Sequence, residues 1–156
     1  MVTESWKATG VIEAPLERVA DTLLAVREGL IGPKNAPLLQ ALPVAGHLLG
    51  RATLQGGPKK FTVHYGSHQG GTVEVDRAAG YFSFRGGYKF GAAYHFTPHP
   101  KGTLLTYQAF NVAPETHRDR ASVRFQFWLS GTLKIGLRSG LRRMAKALGC
   151  RAYPGS

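Results

Sequence analysis

The fold is decided by residues 119–148, which read DRASVRFQFWLSGTLKIGLRSGLRRMAKAL. No proline interrupts this stretch. Either Asp119 or Ser122 can cap its first turn, because a short side-chain oxygen there accepts a hydrogen bond from a free backbone amide. The stretch therefore predicts one helix of about 26 residues, with a length of about 40 Å.

The predicted helix is amphipathic at 100° per residue. Its apolar stripe contains Val123, Leu133, Leu137, Leu141, Met144 and Leu148. Its opposite face carries Arg124, Arg138, Arg142 and Lys146. Such a broad apolar arc needs a large partner, and we expect a curved sheet.

Three glycines, Gly131, Gly136 and Gly140, lie inside the predicted helix. Each costs about 1 kcal/mol relative to alanine in a helix interior. Two explanations are open: the glycines let a neighbouring backbone approach closely, or their missing side chains border a cavity. The residues alone favour close packing.

Upstream of the helix, apolar and polar residues alternate with the period of two that is typical of strands. Strands are predicted at residues 5–12 and at about 47–54, 59–66, 71–77, 80–86, 89–97 and 103–112. Glycine-rich turns separate the later strands, so we expect an antiparallel meander with one covered and one wet face. A helix at about 16–28, opened by Pro15, and a short helix within 33–43 are predicted between the first two strands.

The chain has 156 residues, and we expect one domain, 1–156. With one cysteine, Cys150, no intrachain disulfide can form, which fits a reducing cytoplasm. The sequence shows neither a signal-peptide pattern nor an apolar run long enough to cross a membrane. These features predict a cytoplasmic protein without membrane insertion.

The net charge is +11, and the basic residues concentrate towards the C-terminus. No helix-turn-helix, zinc-finger or RNP-like motif accompanies them, so we favour a solvated basic helix face over a specific nucleic-acid interface. Any nucleic-acid affinity should be weak and should fall steeply with salt.

Two short stretches and the long helix resemble a known superfamily. IEAPLERVA, residues 12–20, resembles the strand-to-helix opening of START-like proteins, and KGTLLTY, residues 101–107, resembles the hairpin that enters their last strand. This superfamily is also called birch-pollen-allergen-like or SRPBCC, and it includes polyketide cyclases and lipid-transport proteins. The resemblance implies an α+β helix-grip fold, with a seven-stranded antiparallel curved sheet wrapped around the C-terminal helix and two short helices after the first strand. Members enclose an apolar cavity that binds lipids, hormones or polyketides, and a minority are enzymes.

No catalytic, metal or cofactor site is predicted. The acidic residues fall mostly on helix surfaces, polar strand faces and loops, and the histidines lack the helical spacing that would bring two of them onto one metal. The sequence contains no nucleophile elbow and no phosphate loop.

We therefore expect binding of a hydrophobic small molecule, such as a lipid or a polyketide-like compound, between the sheet and the C-terminal helix. A polyketide cyclase or aromatase, and an electrostatic interaction protein that uses the basic helix face, are the alternatives. The predicted ligand-binding residues are Val63, Tyr65, Phe82, Phe84, Tyr94, Phe96, Leu105, Tyr107, Gln126, Ser130, Leu133, Gly136 and Leu137.

Overall fold

A computed structural model of the chain describes residues 4–32, 35–38, 52–65, 68–86, 90–111 and 132–155. Within these ranges the strands are β1 (Glu4–Ile12), β2 (Gly29–Leu30), β3 (Thr53–Gly56), β4 (Lys60–Tyr65), β5 (His68–Asp76), β6 (Tyr81–Gly86), β7 (Phe90–His99), β8 (Gly102–Asn111) and β9 (Ala152–Pro154). The helices are α1 (Leu16–Leu23) and α2 (Thr132–Leu148).

The strands form one antiparallel sheet in the order β2-β3-β4-β5-β6-β7-β8-β1-β9. The predicted α+β class and the meander are confirmed, since β2 to β8 are neighbours in chain order and β1 pairs with β8. The predicted count of seven strands is wrong, because the described ranges contain nine.

The two unpredicted strands are β2 and β9, with two and three residues. Elements this short show no alternation in the sequence, so only their partners reveal them. The last strand forms because Gly149, with φ of 65°, ends α2 and turns the chain, so that β9 runs back along β1. The predicted strand at 47–54 is described only from residue 52, and there the strand is Thr53–Gly56.

Helix α1 ends at Leu23, five residues before the predicted end at Glu28. The reason is a loop closed by Asn35, whose backbone carbonyl accepts from the Arg27 amide and whose side-chain amide donates to the Arg27 carbonyl, both at 3.0 Å. These bonds hold the backbone of Arg27 in the loop, outside the helix. Of the predicted short helix within 33–43, the structure describes only residues 35–38.

The amphipathic pattern of α2 is confirmed over its described part. One face is buried, with exposed fractions of 6% or less at Leu137, Leu141, Met144 and Leu148. The other face is exposed and basic, at Arg138, Arg142, Arg143 and Lys146. The predicted start of this helix, at Asp119 or Ser122, lies outside the described ranges.

Helix and sheet approach one another closely at Gly10 of β1. A Cβ atom at this position would lie 2.8 Å from Leu141 Cδ1, which is closer than real Cβ atoms come to a neighbour. Because Gly10 has no side chain, α2 can pack closely against β1 at this point. Nearby, the buried Thr103 hydroxyl donates to the Ala14 carbonyl at 2.8 Å and fixes the junction between β1 and α1.

One face of the sheet is covered and the other is mostly wet, as alternation predicts. Ser83 is the exception, because the period of two puts it on the wet face of β6, yet it is only 2% exposed. It pairs across the strands with Ala93, which is 7% exposed and packs beside Tyr81. The outer face therefore has a small buried patch of its own.

Candidate functional site

Four aromatic side chains form a continuous surface on the covered face of the sheet. Register places Tyr107 of β8 opposite Tyr94 of β7, and Tyr94 opposite Phe82 of β6. The ring centroids are 5.1 Å apart for the two tyrosines, 6.2 Å for Phe82 and Tyr94, and 6.4 Å for Tyr94 and Phe96. These distances are typical of interacting rings. We call Phe82, Tyr94, Phe96 and Tyr107 the aromatic floor.

Two small side chains lie beside the aromatic floor. Ala92 and Ala109 face each other across β7 and β8, two residues before Tyr94 and two residues after Tyr107 in their strands. Both are fully buried. Because an alanine extends only one carbon from the backbone, the sheet surface is lowest at this pair. Protein atoms cover both methyl groups, so the aromatic floor is packed at this pair.

The floor contains one buried polar atom that lacks a partner. The Tyr107 hydroxyl makes no hydrogen bond to any residue in the described part of the chain, although Tyr107 is only 1% exposed. An unpaired buried hydroxyl costs about 1–3 kcal/mol. An acceptor group that reaches this oxygen would recover that free energy.

Electrostatics keep both tyrosines protonated. Burial raises the pKa of Tyr107, so its hydroxyl remains a neutral donor at physiological pH. Burial also raises the pKa of Tyr94, and the neighbouring Tyr107 raises it further, whereas the positive charge of Arg143 on α2 acts in the opposite direction. The positive charge of Arg143 therefore acts on the Tyr94 phenol of the floor.

The structure brings together those predicted site residues whose side chains it describes. All are buried members of one core cluster: Val63, Phe82, Phe84, Tyr94, Phe96, Leu105, Tyr107 and Leu137. They come from five different strands or helices, so the sheet register and the packing of α2 are what assemble them.

The remaining predicted site residues fall into two groups. Gln126 and Ser130 lie outside the described ranges. Tyr65, Leu133 and Gly136 lie in β4 and in the first turns of α2, where only the backbone is described. Their part in ligand binding remains a prediction.

Sequence reasoning missed Ala92, Ala109 and Arg143. The alanines share the period-two pattern of Tyr94 and Tyr107, so the sequence does carry a signal for their inward orientation. That they lie opposite each other depends on strand register, which the sequence does not reveal. Arg143 belongs to the basic residues of the helix, and its influence on Tyr94 requires the tertiary packing.

A second concavity lies between α1 and the turn that joins β5 to β6. It is an open groove of about 680 Å³ lined by Leu16, Glu17, Ala20, Asp21, Arg77 and Ala78. An ion pair between Arg77 and Asp21 crosses it, and both side chains are more than half exposed. Exposed ion pairs contribute little to stability, and a groove this open would bury little of a ligand's surface. The aromatic floor is the better candidate site.

Neither a metal centre nor a membrane-spanning helix is found within the described ranges. They contain no group of three or more histidine, cysteine, aspartate or glutamate side chains placed to hold a metal ion. No helix among them combines the length and the apolar character needed to cross a bilayer.

Comparison with solved structures identifies the fold. The Zhui aromatase/cyclase from Streptomyces sp. R1128 superposes with a TM-score of 0.60 over 95% of this chain and 94% of that one, at 11% identity. The fold is that of the aromatase/cyclases. The di-domain aromatase/cyclase BexL gives a TM-score of 0.54 at 16% identity, with 96% of this chain matching 51% of BexL. Protein BH1534 from Bacillus halodurans gives 0.54 at 14% identity, over 92% of this chain and 99% of that one.

These matches confirm the START-like resemblance at the level of the fold. No protein-family model and no curated protein matches the sequence. At such low sequence identity, structural similarity establishes a shared fold and not a shared function, because one fold hosts many functions.

Proposed function

We propose that this protein binds a hydrophobic, flat small molecule over the aromatic floor, between the sheet and α2. The observation that carries the proposal is the buried, unpartnered Tyr107 hydroxyl in an otherwise apolar surface. Ligand sites are typically apolar and aromatic, with a few polar groups that orient the ligand.

A titration with the neutral dye N-phenyl-1-naphthylamine tests this proposal. We expect saturable fluorescence enhancement with one dye per chain, and displacement by a flat polycyclic compound or by a fatty acid. A folded protein without saturable binding would contradict the proposal. A neutral dye is needed because the net charge of +11 would attract an anionic dye to the surface.

A blocking variant locates the dye. Ala92→Leu adds three carbons beside the aromatic floor, so it should weaken the binding of a dye at the floor at least 10-fold. Ala147→Leu is the matched control, because the same atoms are added on the exposed face of α2. Equal binding by both variants would place the dye elsewhere. Because protein atoms cover Ala92, the Leu variant should also lose about 1–3 kcal/mol of stability through overpacking, and a melting curve should show that it is still folded at the assay temperature.

Catalysis of polyketide cyclisation is the second candidate, and the fold shared with Zhui and BexL supports it. Binding ranks first because of the titratable groups that line the floor. Within the described ranges these are Tyr94 and Tyr107, which are neighbours on one face and whose raised pKa values make them poor general bases near neutral pH. Turnover of a linear poly-β-ketone, abolished by Tyr107→Phe, would reverse this order.

A further inference from the structure

We propose that the exposed side of α2 docks the protein on an anionic lipid bilayer. The contact is made by four cations that we call the basic strip: Arg138, Arg142, Arg143 and Lys146. It is peripheral, because the cations lie against lipid headgroups and no part of the protein enters the hydrocarbon core. The strip lies on the side of α2 that faces away from the sheet, so this proposal is independent of ligand binding at the aromatic floor.

The four cations form one continuous surface. At about 100° and about 1.5 Å per residue, they span about 140° of the helix circumference and about 12 Å of its length. The residues on the opposite side of the helix are buried: Leu137, Leu141, Met144 and Leu148. Because α2 packs against β1 and β9, the sheet supports the buried side and leaves the basic strip facing outward.

The charge of the strip is not neutralised from within its own segment. From residue 132 to the C-terminus the sequence contains six Lys and Arg residues and no Asp or Glu, so no acidic side chain of this segment can pair with the strip. Within the described part of the chain, Arg138, Arg142 and Lys146 form no ion pair. Their positive charge is therefore available to an anionic partner.

The end of α2 does not oppose this charge either. The last carbonyl groups of a helix carry a partial negative charge. Here the Arg18 guanidinium of α1 donates a hydrogen bond to the Leu148 carbonyl and offsets it. Glu13 lies beside Arg151, beyond the end of the helix, where its backbone amide donates to the Arg151 carbonyl. The field of the strip thus stays positive along its length.

The remaining residues on this side select among anionic partners. Over residues 137–148 the other accessible side chains are Ser139, Ala145 and Ala147. A specific protein interface needs large anchors at its centre, and single-stranded nucleic acid stacks its bases on aromatic side chains. The described part of the strip has neither, and the exposed large hydrophobic residue among the described ones, Leu30, lies at the far edge of the sheet. An anionic bilayer requires only clustered positive charge.

Co-sedimentation with sucrose-loaded vesicles measures the docking. The unaltered protein should bind vesicles of phosphatidylcholine with about 30% phosphatidylserine at least 10-fold more strongly than vesicles of phosphatidylcholine alone, because each Lys or Arg at an anionic surface contributes about 5-fold. Raising the salt from about 0.1 M to about 0.5 M should release the protein, since the Debye length falls from about 10 Å to about 4 Å.

Two matched charge reversals locate the contact. The double variant Arg142→Glu with Lys146→Glu changes the strip, and Arg27→Glu with Lys59→Glu makes the same change in net charge elsewhere. Arg27 and Lys59 are exposed and precede β2 and β4, which lie five or more strand spacings from β1, or about 24 Å along the sheet. We expect the strip variant to lose anionic-vesicle binding at least 20-fold and the control less than 3-fold. Melting curves confirm that both are folded.

Three results would overturn the proposal. Equal losses in the two double variants would show that net charge, and not the strip, drives the binding. Equal binding to anionic and neutral vesicles would remove the role of charge. Binding to a DNA duplex that is lost in the strip variant, without binding to anionic vesicles, would make the strip a nucleic-acid surface. None of these results affects dye binding at the aromatic floor, which the titration with N-phenyl-1-naphthylamine tests separately.

Discussion

Replacing Tyr107 by phenylalanine should stabilise the unliganded protein. The variant removes one oxygen and keeps the ring that packs 5.1 Å from Tyr94. In the folded protein that oxygen is buried and has no partner among the described residues, whereas in the unfolded chain water solvates it. Its burial therefore opposes folding, by about 1–3 kcal/mol for an unsatisfied polar group. We expect the free energy of unfolding to rise by at least about 1 kcal/mol.

Urea unfolding followed by far-UV circular dichroism measures this change. The slope with denaturant should be unchanged, because the surface exposed on unfolding is nearly the same. For a chain of this length, each 1 kcal/mol should raise the melting temperature by about 2–4 °C.

The control is Tyr153→Phe in β9. Tyr153 is half-buried, with the Lys101 ammonium 5.9 Å from its ring centroid, and phenylalanine keeps that ring. Its stability should change by less than about 0.5 kcal/mol, as is usual for surface substitutions. A loss of about 1 kcal/mol or more in Tyr107→Phe would show that the hydroxyl is hydrogen-bonded in the folded protein. The argument for the ligand contact would then fail.

Three further predictions concern alkaline stability and glycine positions. Burial raises the pKa of Tyr94 and Tyr107 in the folded state, so their contribution to stability is complete below the unfolded pKa of about 10 and is lost as pH rises above it. Urea unfolding at pH 8 to 11 should therefore show a shallower loss of stability with pH in Tyr107→Phe than in the unaltered protein. Identical slopes of stability against pH would contradict this. Gly80 and Gly149 have φ of 64° and 65°. A Cβ at Gly80 would lie 2.3 Å from a backbone oxygen of β7, whereas a Cβ at Gly149 would make only an ordinary contact, 3.9 Å from Arg18 Nη2. Gly149→Ala should therefore cost about 1 kcal/mol and Gly80→Ala clearly more, and equal melting temperatures would refute the clash. Gly136→Ala should gain up to about 1 kcal/mol if the glycine borders a cavity, and a marked loss in its thermal melt would indicate close packing there.

The sequence determined the parts of the fold that rest on local periodicity. A period of two identified β4 to β8, and a period of 3.6 identified the buried and basic faces of α2, because each element is long enough to repeat its pattern several times. The same period placed Tyr94 and Tyr107 on the covered face, since every second residue of a strand points the same way.

Only the tertiary structure decided which residues meet. β2 and β9 are too short to show a pattern, so they exist as strands only through the backbone groups that β3 and β1 offer them. Ser83 is buried on the outer face, where Ala93 lies across from it, and α1 stops early because Asn35 closes the following loop. The same holds for the unpaired hydroxyl of Tyr107. Alternation predicts that this side chain is inward, but whether its hydroxyl finds a partner depends on neighbours that are distant in the sequence and close only after folding.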